Sequence, residues 1–115
     1  MRYAMLICTS EKEDAAMSPA EAEAQFNGYM KFGEDMTKRG VLTGGERLRP
    51  TSDATTVQVR NGDVTTFDGP FAETKEQIAG FYLVEAKDLD EAIEIAAKIP
   101  GASNGSIEIR PVWEM

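Results

Sequence analysis

A chain of 115 residues, 42% hydrophobic and 28% charged, has the size and composition of one globular domain, so neither disorder nor a stabilising disulfide or metal is expected. Lys+Arg 12 against Asp+Glu 20 gives a net charge of -8 with no basic cluster, which argues against a nucleic-acid partner. With His 0 and Cys8 alone, histidine-assisted nucleophiles, His-ligated zinc or haem, and thiolate metal sites are all excluded. No cofactor is expected, and any chemistry falls to carboxylates, Lys, Arg, Tyr or Ser/Thr.

The first strand, Tyr3 to Cys8, is apolar on both alternating faces, as a strand buried on both sides would be. The apolar run is short and charges follow it, so no signal peptide is expected. The later run Ile78 to Val84 is too short to span a bilayer. With a lone cysteine, these features give a cytoplasmic expectation. A polar loop is expected from Thr9 to Met17. Ser18-Pro19-Ala20-Glu21 then starts a helix, with Ser18 as N-cap, Pro19 at the first helical position and Glu21 completing a capping box. Its apolar stripe of Phe26, Tyr29, Met30, Phe32 and Met36 is expected to be core, ending at Gly40.

Val41 to Thr43 begins a second strand, which Gly44-Gly45 loosens before Glu46 to Pro50. Thr55 to Arg60 and Val64 to Phe67 read as a hairpin turned by Asn61-Gly62. Asp68-Gly69-Pro70-Phe71 breaks that hairpin, and a polar stretch leads to a strand over Phe81 to Ala86. Asp88 caps a second helix striped by Leu89, Ala92, Ile93 and Ala96 and ended by Pro100-Gly101. The last strand places Ile107, Ile109 and Trp113 on one face and Glu108 and Arg110 on the other.

The order is β-α-β, inserted hairpin, β-α-β: an α+β, ferredoxin-like split βαβ arrangement in a single domain over residues 1–115. Both crossover helices then share one face of the sheet. Two strands are nevertheless apolar on both faces, and no third helix is available to cover the second face. A homodimer is the expected solution.

Asp68 is the candidate catalytic residue. As a turn residue its side chain bonds nearby backbone, Gly69 takes φ > 0 and Pro70 fixes the next φ. As a functional group the same turn aims the carboxylate into a cleft, with Phe71 as the apolar wall. The candidate ligand-binding set is Glu46, Arg47, Phe71, Lys75 and Tyr82. Alternation puts Arg47 and Arg49 on one, outward, face and Glu46 with Leu48 on the buried one. Glu46, beside two glycines, is able to approach a ligand or partner backbone closely. Lys75 is equally an ordinary solvated residue and Tyr82 a core tyrosine. Cys8 reads as a small buried hydrophobe, and Glu11, Glu13 and Asp14 as a solvated loop run.

The run Asp68-Gly69-Pro70-Phe71-Ala72-Glu73-Thr74-Lys75-Glu76-Gln77 resembles the DGPF signature of the YCII-related family of small bacterial proteins. Gly44-Gly45-Glu46 with Leu48 and Pro50, Ala54-Thr55-Thr56-Val57, and Glu108-Ile109-Arg110-Pro111-Val112 resemble it in the same order. The resemblance implies a dimeric α+β barrel. The expected function is binding of a small organic molecule in a cleft near the DGPF turn, with catalysis left open. The alternative, which the resemblance implies, is a non-enzymatic module serving an extracytoplasmic-function sigma factor. More distant relatives look like hydrolytic or dehydrohalogenating enzymes with a His–Asp pair. This chain has no histidine, so only the Asp half maps, onto Asp68.

Overall fold

The computed structural model describes residues 1–115. β1 (Arg2–Thr9) alternates strictly. Tyr3, Met5, Ile7 and Thr9 are buried, and the residues between them are partly covered. It lies at the centre of a four-stranded sheet ordered β2-β5-β1-β6, where β2 is Leu42–Arg47, β5 Gln77–Glu85 and β6 Ser106–Pro111. Every neighbouring pair is antiparallel. The register places Tyr3 opposite Val84, Met5 opposite Tyr82 and Ile7 opposite Gly80, so these side chains share one face. Register shifts beside Cys8 in the β1–β5 pair and Thr43 in the β2–β5 pair mark bulges.

Helices α2 (Pro19–Lys38) and α3 (Leu89–Ala96) cover that face. Phe32 and Met36 of α2, with Ala92, Ile95 and Ala96 of α3 and Ile99 after it, close on Tyr3, Met5, Ile7 and Val84 in one buried cluster. The capping box read at Ser18 is formed: its hydroxyl accepts from the Glu21 N–H, and the Glu21 carboxylate accepts from the Ser18 N–H. Asp88 caps α3 by accepting from the Glu91 N–H.

β3 (Thr55–Arg60) and β4 (Asp63–Asp68) form a separate two-stranded sheet. Asn61 and Gly62 turn it with φ of 53° and 83°, the left-handed pair that a two-residue hairpin turn needs.

Several expectations need correction. Thr9 to Met17 is not all loop: Ser10 accepts from the Glu13 N–H and starts the short helix α1 (Glu11–Ala15). The α2 stripe is not uniformly core. Phe26 and Met30 are exposed, because the helix overhangs the sheet before it reaches the packed turn at Phe32 and Met36. On α3, Ile95 is buried while Leu89 and Ile93 are exposed. Gly101 to Asn104 form a further short helix, α4. β5 starts at Gln77, four residues earlier than Phe81. Trp113 lies beyond β6 and is 89% exposed, so it does not share the face of Ile107 and Ile109. Finally, Arg47 lies opposite Gly80 on the helix-covered face and Glu46 opposite Phe81 on the other, which reverses the faces read from alternation. The bulge at Thr43 shifts the phase of β2 by one residue.

The other sheet face carries Ala4, Leu6, Phe81 and Leu83 and no helix of the core cluster. No helix is long and apolar enough to cross a membrane.

Candidate functional site

The helix-covered face has a gap in its row of side chains. Gly80 on β5 and Gly45 on β2 contribute no Cβ where α2 overhangs. A Cβ on Gly80 would meet the Glu46 carbonyl oxygen at 2.7 Å, and one on Gly45 would meet the Phe81 carbonyl oxygen at 2.6 Å. Glycine is needed for the strands to approach this closely, and its use leaves the floor under α2 unfilled. The result is a cleft of about 580 Å³ between the N-terminal half of α2, the α1 segment and the β2–β5 edge.

Three aromatic residues shape it. Phe26 and Tyr29 come from α2, spaced so that both face the sheet, and Tyr82 rises from β5. Tyr82 is fixed from behind by Phe32, with ring centroids 4.9 Å apart and planes at 49°. Phe26 is 57% exposed and forms a lip rather than part of the core. The Tyr29 hydroxyl reaches toward α4, where a Cβ on Gly101 would lie only 2.8 Å from it.

The polar groups are few. Arg47 lines the β2 wall. It joins none of the ion pairs of the chain. Asp14, at the α1 wall, accepts the Thr9 hydroxyl proton at 2.8 Å through Oδ2. Its Oδ1 is enclosed and has no hydrogen-bond partner. Burial pushes the Tyr29 hydroxyl above its ordinary pKa. The Gly101 backbone opposes that shift, Tyr82 and Asp14 add to it, and Arg47 opposes it, so Tyr29 senses both walls of the cleft. Burial likewise raises Tyr82. Both hydroxyls are therefore protonated, neutral hydrogen-bonding groups near pH 7.

The α1 wall is held by its own contacts. The Glu11 carboxylate accepts from the backbone N–H and hydroxyl of Thr51, and the Gln77 side-chain carbonyl accepts from the Glu11 N–H at 2.9 Å.

Of the residues singled out in the sequence, the structure brings Arg47 and Tyr82 to this cleft, and Glu46, on the other face of β2, borders it with its backbone carbonyl against Gly80. Asp68, Phe71 and Lys75 do not line it. Asp68 ends β4 opposite Thr55 and is exposed, Phe71 is 76% exposed, and Lys75 is exposed in the connection to β5. The turn around Asp68 is held by backbone: the Gly69 N–H donates to the Ala54 carbonyl, and the Thr56 hydroxyl donates to the Gly69 carbonyl. Cys8 is partly covered on the sheet face away from the helices. Burial raises its thiol pKa, and Glu108 and Glu76 add to the rise.

Sequence reasoning missed Phe26, Tyr29 and Asp14. The first two were absorbed into the apolar stripe of α2, and Asp14 into an acidic loop. The available signal was Ser10, an N-cap that lifts Asp14 out of a loop and onto a helix.

A second surface recess, lined by Arg39, Asp88, Glu91 and Glu94 among others, has no hydrophobic wall. The Arg39 guanidinium contacts both Glu94 carboxylate oxygens at 3.2 Å and holds that carboxyl below its ordinary range. Arg39 is thus paired with Glu94 and lies 3.9 Å from Glu91.

Comparison with known proteins points to one family. A family model described as the YCII-related domain matches residues 1–115. An uncharacterised protein of Rhizobium meliloti (strain 1021) is 39% identical over 114 residues, covering 97% of this chain and 92% of the relative.

Proposed function

The chain belongs to the YCII-related family, and from that premise we propose that it binds a small organic molecule in the cleft between α2 and the β2–β5 edge, as a homodimer in the cytoplasm. The observation that carries this reading is the cleft itself. An exposed Phe26, two half-buried tyrosines and one unpaired arginine face a glycine floor across about 580 Å³. Small-molecule sites commonly measure roughly 300–1,000 Å³ and combine apolar walls with a few convergent polar groups. The reading moves the expected ligand from the DGPF turn to the glycine-floored cleft.

The dimer follows from the uncovered sheet face. The strand order β2-β5-β1-β6, with both long helices packed on the other face, supports a ferredoxin-like subunit. Two such faces packed together would make a dimeric α+β barrel.

Binding is tested by labelling the methionine and isoleucine methyl groups for NMR and titrating a panel of small aromatic and alicyclic acids, alcohols and amines. Met17 and Ile7 line the cleft, whereas Met115 and Ile93 lie outside it. Shifts at the first pair without the second are expected. A panel that never moves Met17 or Ile7 would sink the reading.

A second reading, a partner module for a sigma factor, draws support from the hairpin. The exposed Val57, Val59 and Val64 share one of its faces. It predicts co-elution with an extracytoplasmic-function sigma factor of the same cell and loss of that co-elution in Val59→Lys.

A further inference from the structure

We infer that the ligand of the cleft is a monocarboxylate with an apolar ring, its carboxylate held by Arg47 and its ring lying against Phe26 and Tyr82. The inference rests on the binding role proposed above and adds the chemical class. It starts from a contrast within the chain. Arg39, Arg49 and Arg110 each face a carboxylate within 4.0 Å, and so does Arg2. Arg47 faces none, in a protein of net charge -8 where acidic groups outnumber basic ones. Arg60 shares that state, but it is exposed on the hairpin and donates to the Val59 carbonyl at 3.0 Å, whereas Arg47 lines a cleft.

Placement makes that isolation meaningful. The bulge at Thr43 turns Arg47 onto the helix-covered face, opposite Gly80, where the floor is empty. It is the cleft's only cation. A guanidinium presents a planar fork that matches a carboxylate through two parallel hydrogen bonds. A phosphate dianion would call for more positive charge than one arginine supplies, and no other basic residue lines the site.

The remaining walls set the rest of the molecule. Ile7, Met17 and Phe26 are apolar, and Tyr82 offers its ring. Across the cleft the Asp14 carboxylate is held by Thr9, with its second oxygen enclosed and unpartnered. A second anionic group on the ligand would approach that fixed negative charge and be rejected. The cleft thus selects one carboxylate, not two.

The test uses 3-phenylpropionate, its neutral counterpart 3-phenylpropan-1-ol, and the dicarboxylate phenylsuccinate, with the Met17 and Ile7 methyl signals as readout. We expect the monoacid to bind at least tenfold more tightly than the alcohol in the native protein. Arg47→Gln should bring the two probes within about twofold of each other, and Arg47→Lys should keep part of the difference. Phenylsuccinate should bind at least tenfold more weakly than the monoacid, and Asp14→Asn should narrow that gap. An unchanged melting temperature in Arg47→Gln separates lost binding from lost fold. Equal binding of acid and alcohol at Met17 and Ile7 would overturn the carboxylate assignment while leaving the cleft as a binding site. Probes that fail to bind, while other members of the broad panel do, would also overturn it. If neither set moves those methyls, the binding role falls as well.

Discussion

Gly80 and Gly33 show how one added methyl group has opposite effects in two places. At Gly80 the new Cβ would press on the Glu46 carbonyl at 2.7 Å and the Arg47 Cα at 3.3 Å. Gly80→Ala is expected to cost about 1–3 kcal/mol through overpacking, and to narrow the cleft. At Gly33, inside α2, a Cβ meets nothing within 4 Å. Gly33→Ala should stabilise by about 0.5–1 kcal/mol, because alanine loses less backbone freedom in a helix. Urea denaturation of both variants checks the pair. Asp68→Asn should shift stability by less than about 0.5 kcal/mol, since the side chain is exposed and makes no hydrogen bond to the turn. Methyl shifts in the cleft should be unchanged in that variant. Arg47 and Tyr82 were legible as site candidates because arginine and tyrosine beside glycine-rich strands are conspicuous in sequence. Tyr29 was not, because an aromatic on a helical stripe reads as core whether it faces a packed sheet or a gap in one.

The gap also explains what was legible about the elements. Caps are local chemistry, so Ser18, Pro19 and Glu21 announced the start of α2 correctly. Ser18→Ala should cost about 1 kcal/mol and be measurable by thermal melting. Periodicity is also local, but it names a face and not what the face meets. It therefore assigned Phe26 and Phe32 alike to the core, although only Phe32 reaches it. The bulge at Thr43 was hidden for a related reason. A one-residue insertion is defined by pairing with β5, which lies some forty residues away in sequence, and it exchanged the faces of Glu46 and Arg47. Titration gives a further check on how α2 sits on the sheet. Burial keeps the Tyr29 and Tyr82 hydroxyls protonated to higher pH than in the unfolded chain. Their contribution to stability is therefore whole below about pH 10 and declines as pH rises through the native values, since the unfolded chain releases these protons first. Melting temperature followed between about pH 8 and 11 should fall, and Tyr29→Phe should flatten that fall.

At the scale of the molecule, the chain measures 47 × 43 × 19 Å, thin for its breadth. Its radius of gyration is 16.0 Å, against about 13 Å for a compact domain of this length. Only 14 of 115 residues are buried, and Ala4, Leu6, Phe81 and Leu83 on the open sheet face are only partly covered, which is the surface that the proposed dimer would bury. Leu6 sits near the middle of that face, on the central strand. Leu6→Glu should convert a dimer to a 12.6 kDa species in sedimentation experiments. A native protein that sediments only as monomer would refute the dimer. The central position of β1 has one more consequence, for how the protein is made. β1 is synthesised well before either of its neighbours, residues 77–85 and 106–111. Until residues 77–85 have been synthesised β1 is an apolar strand with both edges bare, and until residues 106–111 follow one edge stays open, the kind of segment that pairs with the wrong neighbour. The sheet cannot close until β6 has emerged. A chain interrupted before β6 would display that unpaired edge to its neighbours and draw chaperones or aggregate.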